Sequence, residues 1–473
     1  MGSLKPPTWK PVRIVFWLVA LMLVGLVFGK SFVAAFRPPP GVLTDFVQEW
    51  LSGQNYRTGD PIYADQIESL RRHTGQVPNI AEQMLPRNAH PPVAVLFALP
   101  FVLADYPNSQ LAWNLFSSVL FVLALVLVIR ELKLPFIPLS LLPTATLILV
   151  CNPLYGQIIQ GQLDFVLVFL ISAAWVADRR GYQWWAGGLI GVAAAIKLFP
   201  AFLFLYFLST GRWRAVLSGG VVVATLNLLT LSVFGVQTYR DYVLVVVPGL
   251  SFFQTMWWNC SPEGFWLRLF DPQPHAGIIP LVRSPELAQA FIWATRGVVV
   301  AIVAYLGYRA ESRAARDKAF AAAVTALCLV SPIMWHHYML LLLVPAGLLW
   351  RDLPPGLVRY AFFIVLALLW GPDNFITKLV LASKFDLPFY VNHGRLLDQV
   401  NHLLIVCIPV YLFVALFVFV LLVPVRESAS AASEPVRPPD EGSEESAARL
   451  RRRLFGPVGG DPGVPAEPAS GGK

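Results

Sequence analysis

Asp45 is the residue of this chain best placed for acid–base work. It opens the run Asp45-Phe46-Val47-Gln48-Glu49-Trp50, which continues to Gly59-Asp60-Pro61-Ile62-Tyr63 just beyond a long apolar segment. A carboxylate at the water side of a bilayer can take a proton from a hydroxyl. Arg37-Pro38-Pro39-Pro40-Gly41 ends the preceding helix and would hold that carboxylate at the interface. An N-cap for the next helix is the competing role, since aspartate serves well there. Spacing alone leaves both open, and one residue can fill both.

Other polar residues interrupt apolar sequence in the same way. Lys197 sits in Ala193-Ala194-Ala195-Ile196-Lys197-Leu198-Phe199-Pro200. A compact ammonium there must snorkel or meet an anion, for which a phosphate is suited. Trp335-His336-His337-Tyr338 ends another apolar run; adjacent helical histidines diverge, so a shared metal is not expected, although one ring could reach a phosphate or a sugar. Packing alone is the plainer role for both. Asn152 to Asp164 includes Gln157 and Gln162, amides suited to binding hydroxyls from a cavity wall or, equally, to capping a turn. Trp258, Asn259, Ser261 and Arg268 form an aromatic and amide-bearing group of the kind found in sugar sites, though tryptophan also populates membrane interfaces. Asn259-Cys260-Ser261 formally matches a glycosylation acceptor, with nothing else pointing to that modification.

The elements that must carry these residues are membrane helices. Of 473 residues, 56% are hydrophobic and only 14% charged, against about a quarter charged in soluble domains. Apolar windows fall near 12–34, 109–129, 136–151, 163–178, 184–198, 199–210, 215–234, 290–309, 319–334, 337–350, 357–371 and 397–425, with a shorter piece at 92–104. About 20 residues make a full crossing, so the shorter windows are expected to be broken helices lining protein-walled space. The fold expected is all-α and polytopic, with about twelve or thirteen transmembrane helices. Residues 12–34 are expected to stay as an anchored first helix rather than a cleaved signal.

Charge sets the orientation. The formal net charge is +8, but the basic residues sit in short loops: Lys5, Lys10 and Arg13, Arg130 and Lys133, Arg179 and Arg180, Arg212 and Arg214, Arg309 to Lys318, Arg351 and Arg359, and Arg426. That is a topology signal rather than a nucleic-acid footprint. All these loops share the cytoplasmic side if 92–104 does not cross. The opposite face then collects the loops 35–91, 235–289 and 372–396, the first with the look of an amphipathic interfacial segment. Residues 1–425 form the membrane domain, and 426–473, rich in Pro, Gly, Ser and Glu, a disordered cytoplasmic tail. The four cysteines, Cys151, Cys260, Cys328 and Cys407, have neither metal nor disulfide spacing.

Taken together these segments resemble glycosyltransferase family 87, membrane enzymes of the GT-C type that use polyprenyl-phosphate sugars. The resemblance rests on Asp45-Phe46 with Gly59-Asp60-Pro61-Ile62-Tyr63, His90-Pro91-Pro92, Gly161-Gln162-Leu163-Asp164 and Gly187-Gly188-Leu189-Ile190-Gly191. Ile196-Lys197-Leu198-Phe199-Pro200, Arg212-Trp213-Arg214, Asn259-Cys260-Ser261 with Gly264 and Arg268, and Ser331 to His337 complete it, over about residues 40 to 350. The chain departs from the family at Asp164, where asparagine is common, and at Cys260, where an amide is common.

The resemblance implies that Asp45 is the general base, with Lys197, His336 and His337 around the donor phosphate. Glu49, Gln157, Gln162, Asp164, Trp258, Asn259, Ser261 and Arg268 are then the expected substrate contacts. A polyprenyl-phosphate sugar, most naturally mannose, would pass with inversion to a lipid or glycan hydroxyl at the outer face of the plasma membrane. No cofactor or metal is expected. A transporter or flippase is the rival reading, but the expected internal repeat is lacking. A glycan polymerase or ligase sharing the donor is a nearer rival.

Overall fold

Sustained apolar runs without strand-like alternation fold here into helices. The computed structural model describes residues 10–39, 41–75, 87–134, 141–256, 258–276, 278–371 and 406–423. The expected third loop, 372–396, and the tail, 426–473, lie outside the described residues. Helix α1 (Lys10–Val24) passes through a π-helical stretch, Gly25–Gly29, into α2 (Lys30–Ala34). There follow α3 (Val47–Thr58), α4 (Gln66–Thr74), α5 (Pro92–Ala98), α6 (Tyr106–Glu131), α7 (Leu141–Val150) and α8 (Asn152–Gln160). The chain continues through α9 (Asp164–Arg179), α10 (Gln183–Ile196), α11 (Phe204–Ser209), α12 (Trp213–Asp241), α13 (Val247–Gly249) and α14 (Pro262–Phe270). Last come α15 (Pro285–Tyr308), α16 (Arg313–Val330), α17 (Leu343–Asp352), α18 (Leu357–Trp370) and α19 (Ile408–Leu422).

The protein is an all-α, multi-pass membrane protein. Pro11–Ala34, Tyr106–Glu131, Trp213–Phe253 and Pro285–Tyr308 have the length and composition of a crossing, and the bent pair α7 and α8 adds a fifth if it counts as one. The other apolar helices are shorter than a crossing needs, but not all are enclosed by protein as expected: α18 leaves Leu357, Tyr360 and Ile364 exposed. Helices α9 and α16 bury nearly their whole length, whereas α1 turns Val15, Phe16 and Leu23 outward.

Three segments differ from the sequence expectation. Residues 152–160, expected as a turn, form α8, which meets α7 at 59°. Residues 235–253, expected as the start of a loop, extend the α12 helix beyond a kink at Gly235, whose φ of +81° suits glycine alone. The aromatic residues of the first loop do not lie on the membrane surface: Phe46, Trp50 and Tyr63 are buried in protein. Phe46 stacks on Trp113 and Trp50 packs edge-on against Tyr106, because those neighbours offer a larger apolar surface than a headgroup layer does. Residues 92–104 hold only the short α5 and a 3-10 turn, about half of what a crossing needs.

Small residues bring α10 against α12. A Cβ on Gly187 would stand 1.8 Å from the Ala215 carbonyl oxygen, and one on Gly191 would stand 2.6 Å from that of Gly219. This close approach is the small-residue packing of membrane helices, and it fixes the body of α10, which leads into Lys197. Gly187→Ala is therefore expected to lower thermal stability in detergent by about 1–3 kcal/mol. Gly188→Ala, whose Cβ meets only Val222 at 3.7 Å, should be silent.

The basic loops do converge. Glu131 at the end of α6 takes Arg180 (2.9 Å) and Arg313 (2.8 Å). Asp317 on α16 takes Arg179 (3.3 Å) and the Trp175 indole (3.0 Å), while Asp178 accepts the Tyr206 hydroxyl (2.6 Å). Arg351 closes the group on Asp352. These residues occupy one end of α9; Asp164 begins the other, about 22 Å away by helical rise.

Candidate active site

The site is built on the sharp turn between α8 and α9. Gly161 ends α8 with φ +63°, and a Cβ there would stand 2.7 Å from the Cβ of Phe46. Glycine is thus required twice, by backbone conformation and by the approach of the Asp45 segment. That approach is then locked: the Phe46 amide donates to the Gln160 carbonyl (2.9 Å) and the Asp45 amide to Gln160 Oε1 (3.2 Å). Thr44 reinforces it through the Tyr106 hydroxyl (2.7 Å) and Gln110 Oε1 (2.8 Å).

The carboxylate of Asp45 points across the turn. Its Oδ2 accepts from Gln162 Nε2 at 2.7 Å. It caps nothing: α3 begins at Val47 behind Phe46, with no side-chain cap, so the N-cap reading fails. Asp45 is half-buried. Desolvation pushes its carboxyl above the ordinary carboxylate range, against the Gln162 hydrogen bond and the positive charge available at His90 and Lys197.

Gln162 faces two ways. While its amide nitrogen serves Asp45, its Oε1 accepts from Lys197 Nζ at 3.3 Å. Gln157 and Trp113 both donate to the Gln162 carbonyl and hold the residue still. Lys197 leaves α10 as an extended cap residue and is buried. Its ammonium reaches Asp164 Oδ1 (3.2 Å) and lies 4.2 Å from the Tyr338 ring centroid. Asp164 begins α9, where the helix dipole favours an anion. The second oxygen of Asp164 faces His337 Nε2 at 3.5 Å, without a formed hydrogen bond on either atom.

Five of the expected residues therefore meet: Asp45, Gln162, Asp164, Lys197 and His337. The adjacent histidines do diverge, for His336 turns instead toward Cys260 Sγ at 3.6 Å from Nε2. Glu49 pairs with the Nδ1 of His90, which the sequence marks only through its place in His90-Pro91-Pro92. Gln157 belongs to the frame.

The remaining expected contacts serve the loop. Asn259 donates to the carbonyls of Gln254 (2.9 Å) and Pro332 (3.0 Å) and accepts from the amides of Ser261 (3.0 Å) and Met334 (2.9 Å). Ser261 caps α14, and buried Arg268 donates to the Met256 and Asn259 carbonyls, both at 2.9 Å. This clasp fixes the segment that leads into His336 and His337. Trp258 is half-buried, with its ring centroid 6.5 Å from that of Trp335, and Trp257 lies outside the described residues.

What this geometry can do is hold a base and a cation one amide apart in a largely dry site. Comparison with known proteins identifies the family. The model of glycosyltransferase family 87 matches residues 88–332. A polyprenol-phosphate-mannose-dependent alpha-(1-2)-phosphatidylinositol pentamannoside mannosyltransferase of Mycolicibacterium smegmatis is 33% identical over 199 residues, 40% of this chain and 42% of that protein. A polyprenol-phosphate-mannose-dependent alpha-(1-2)-phosphatidylinositol mannoside mannosyltransferase of Mycobacterium tuberculosis is 24% identical over 397 residues, 77% of this chain and 84% of its own length. No solved structure matches.

Proposed function

This chain belongs to glycosyltransferase family 87, and we propose that it transfers mannose from a polyprenyl-phosphate donor to a hydroxyl of a lipid or glycan acceptor. The relatives carry that donor in their names, together with phosphatidylinositol mannosides as acceptors. The observation that carries the reading is the Gln162 amide bridging Asp45 and Lys197. Asp45 takes the proton of the acceptor hydroxyl as its oxygen attacks the anomeric carbon. The bond from that carbon to the phosphate oxygen breaks, and Lys197 with His337 meets the charge of the leaving polyprenyl phosphate. A single displacement inverts the anomeric centre, since no second carboxylate is needed as a nucleophile.

We place this site at the outer face of the plasma membrane. The support is that the arginine-rich ends of α9 and α16 lie opposite Asp164, as the positive-inside rule asks of a cytoplasmic end. The test incubates the purified full chain with labelled polyprenyl-phosphate mannose and candidate acceptors, including phosphatidylinositol mannosides. Mannosylated product is expected; intact donor with every acceptor overturns the reading, and products of increasing chain length favour a polymerase.

The environment of Asp45 adds a pH prediction. The base must be ionised, and burial raises its pKa. The acid limb of kcat/KM is therefore expected above the ordinary aspartate value of about 3.9, with activity falling as pH drops through it. An acid limb at or below that value would remove Asp45 as its source.

A further inference from the structure

Beside Asp45 stands a second acid–base pair that the reaction above leaves unused. Glu49 Oε1 meets His90 Nδ1, and both residues are buried. The histidine is held on every side. Its amide donates to Asn88 Oδ1 (2.9 Å), and its carbonyl accepts from the Tyr63 hydroxyl (2.6 Å). Asn88 in turn donates to Ser52 Oγ (3.0 Å) on α3.

A carboxylate at Nδ1 selects the tautomer with the proton on that nitrogen, leaving a lone pair at Nε2. Among the described residues no hydrogen bond reaches Nε2, nor is that atom among the sealed buried ones. With Nδ1 committed to Glu49, Nε2 is the ring's one nitrogen left open to a ligand hydroxyl. Glu49 lies in the first turn of α3, four residues after Asp45, and His90 stands just ahead of α5, so the ring they hold borders the Asp45 site.

We propose that His90 is an acceptor-binding residue. Its Nε2 receives a hydrogen bond from an acceptor hydroxyl next to the one that Asp45 deprotonates. Glu49 is a positioning residue acting through His90, so it does not itself contact substrate. This rests on the mannosyl-transfer reading and adds to it how the acceptor is oriented: a vicinal diol is recognised, one hydroxyl by each of the two groups.

His90→Asn tests this, because the shorter amide can still serve Glu49 while nothing replaces Nε2. With labelled polyprenyl-phosphate mannose, the variant is expected to raise the acceptor KM about tenfold, the cost of one lost hydrogen bond at a buried site. The donor KM and the melting temperature should stay at wild-type values. A deoxy acceptor lacking the neighbouring hydroxyl should cost the wild type the same factor and cost His90→Asn nothing further. Glu49→Gln should raise the acceptor KM by less, and it serves as the second variant if His90→Asn does not fold. An unchanged acceptor KM in folded His90→Asn, equal changes for donor and acceptor, or full sensitivity of that variant to the deoxy acceptor overturns the proposal. A wild-type protein that leaves the donor untouched overturns the parent reading instead, and this inference with it.

Discussion

Asp45→Asn is expected to abolish mannosyl transfer, lowering kcat by about 10²–10⁴-fold, the usual worth of a positioned general base. The substitution is nearly isosteric, and its carbonyl oxygen can still accept the hydrogen bond that Gln162 Nε2 now gives to Asp45 Oδ2 at 2.7 Å. The backbone tie from Asp45 to Gln160 Oε1 does not involve the carboxylate. Nothing that holds the segment in place is lost, so the melting temperature should hold. Removal of a carboxylate also leaves Lys197 and its partner Asp164 in place, so donor binding should persist. The measurement is turnover of labelled polyprenyl-phosphate mannose beside a donor-induced thermal shift on the same preparation. Activity within tenfold of wild type would sink the assignment of Asp45 as base. Lost activity together with a lost donor shift would mean that Asp45 organises the site instead of reacting in it.

The chain shows its chemistry plainly at some positions and hides it at others, for physical reasons. Asp45, Asp164 and Lys197 stand out because a charge within apolar sequence is costly and calls for an explanation. The family resemblance groups residues 45, 162, 164, 197 and 337 in one site, but the contacts that bring them together, through the Gly161 turn and the close packing of α10 on α12, are not legible in the sequence. Asn259, Ser261 and Arg268 looked like sugar contacts, yet the same donors and acceptors serve equally to clasp a loop, and composition cannot separate the two uses. His90 enters the sequence reading only as part of His90-Pro91-Pro92, a motif without chemistry of its own, and only its pairing with Glu49 reveals it. The all-α membrane class followed directly from composition. Which helices face lipid did not, because α9, buried along its length, and α1, exposed along its length, are both apolar.

Lys197→Met is expected to be the most damaging single change in the site, because it acts on folding and on chemistry together. Asp164 is fully buried, and its Oδ2 already lacks a hydrogen bond. Removing the ammonium 3.2 Å from Oδ1 strands the carboxylate in a low-dielectric interior, a loss of about 3–5 kcal/mol in comparable buried pairs. Much of that cost belongs to the abandoned charge, so Lys197→Met with Asp164→Asn should recover most of the stability, since the neutral amide needs no counter-ion. The double variant should still fail to transfer mannose, having lost the cation proposed to meet the leaving phosphate. Thermal unfolding in detergent and the donor KM read these two effects separately. A Lys197→Met protein as stable as wild type would show that Asp164 is not shielded from water. A stable double variant with wild-type turnover would remove Lys197 from the leaving-group role while leaving Asp45 untouched. The pairing itself favours the first pair of outcomes: a lysine kept only to snorkel would reach outward for water, whereas Lys197 bends inward to a carboxylate, an amide and the Tyr338 ring.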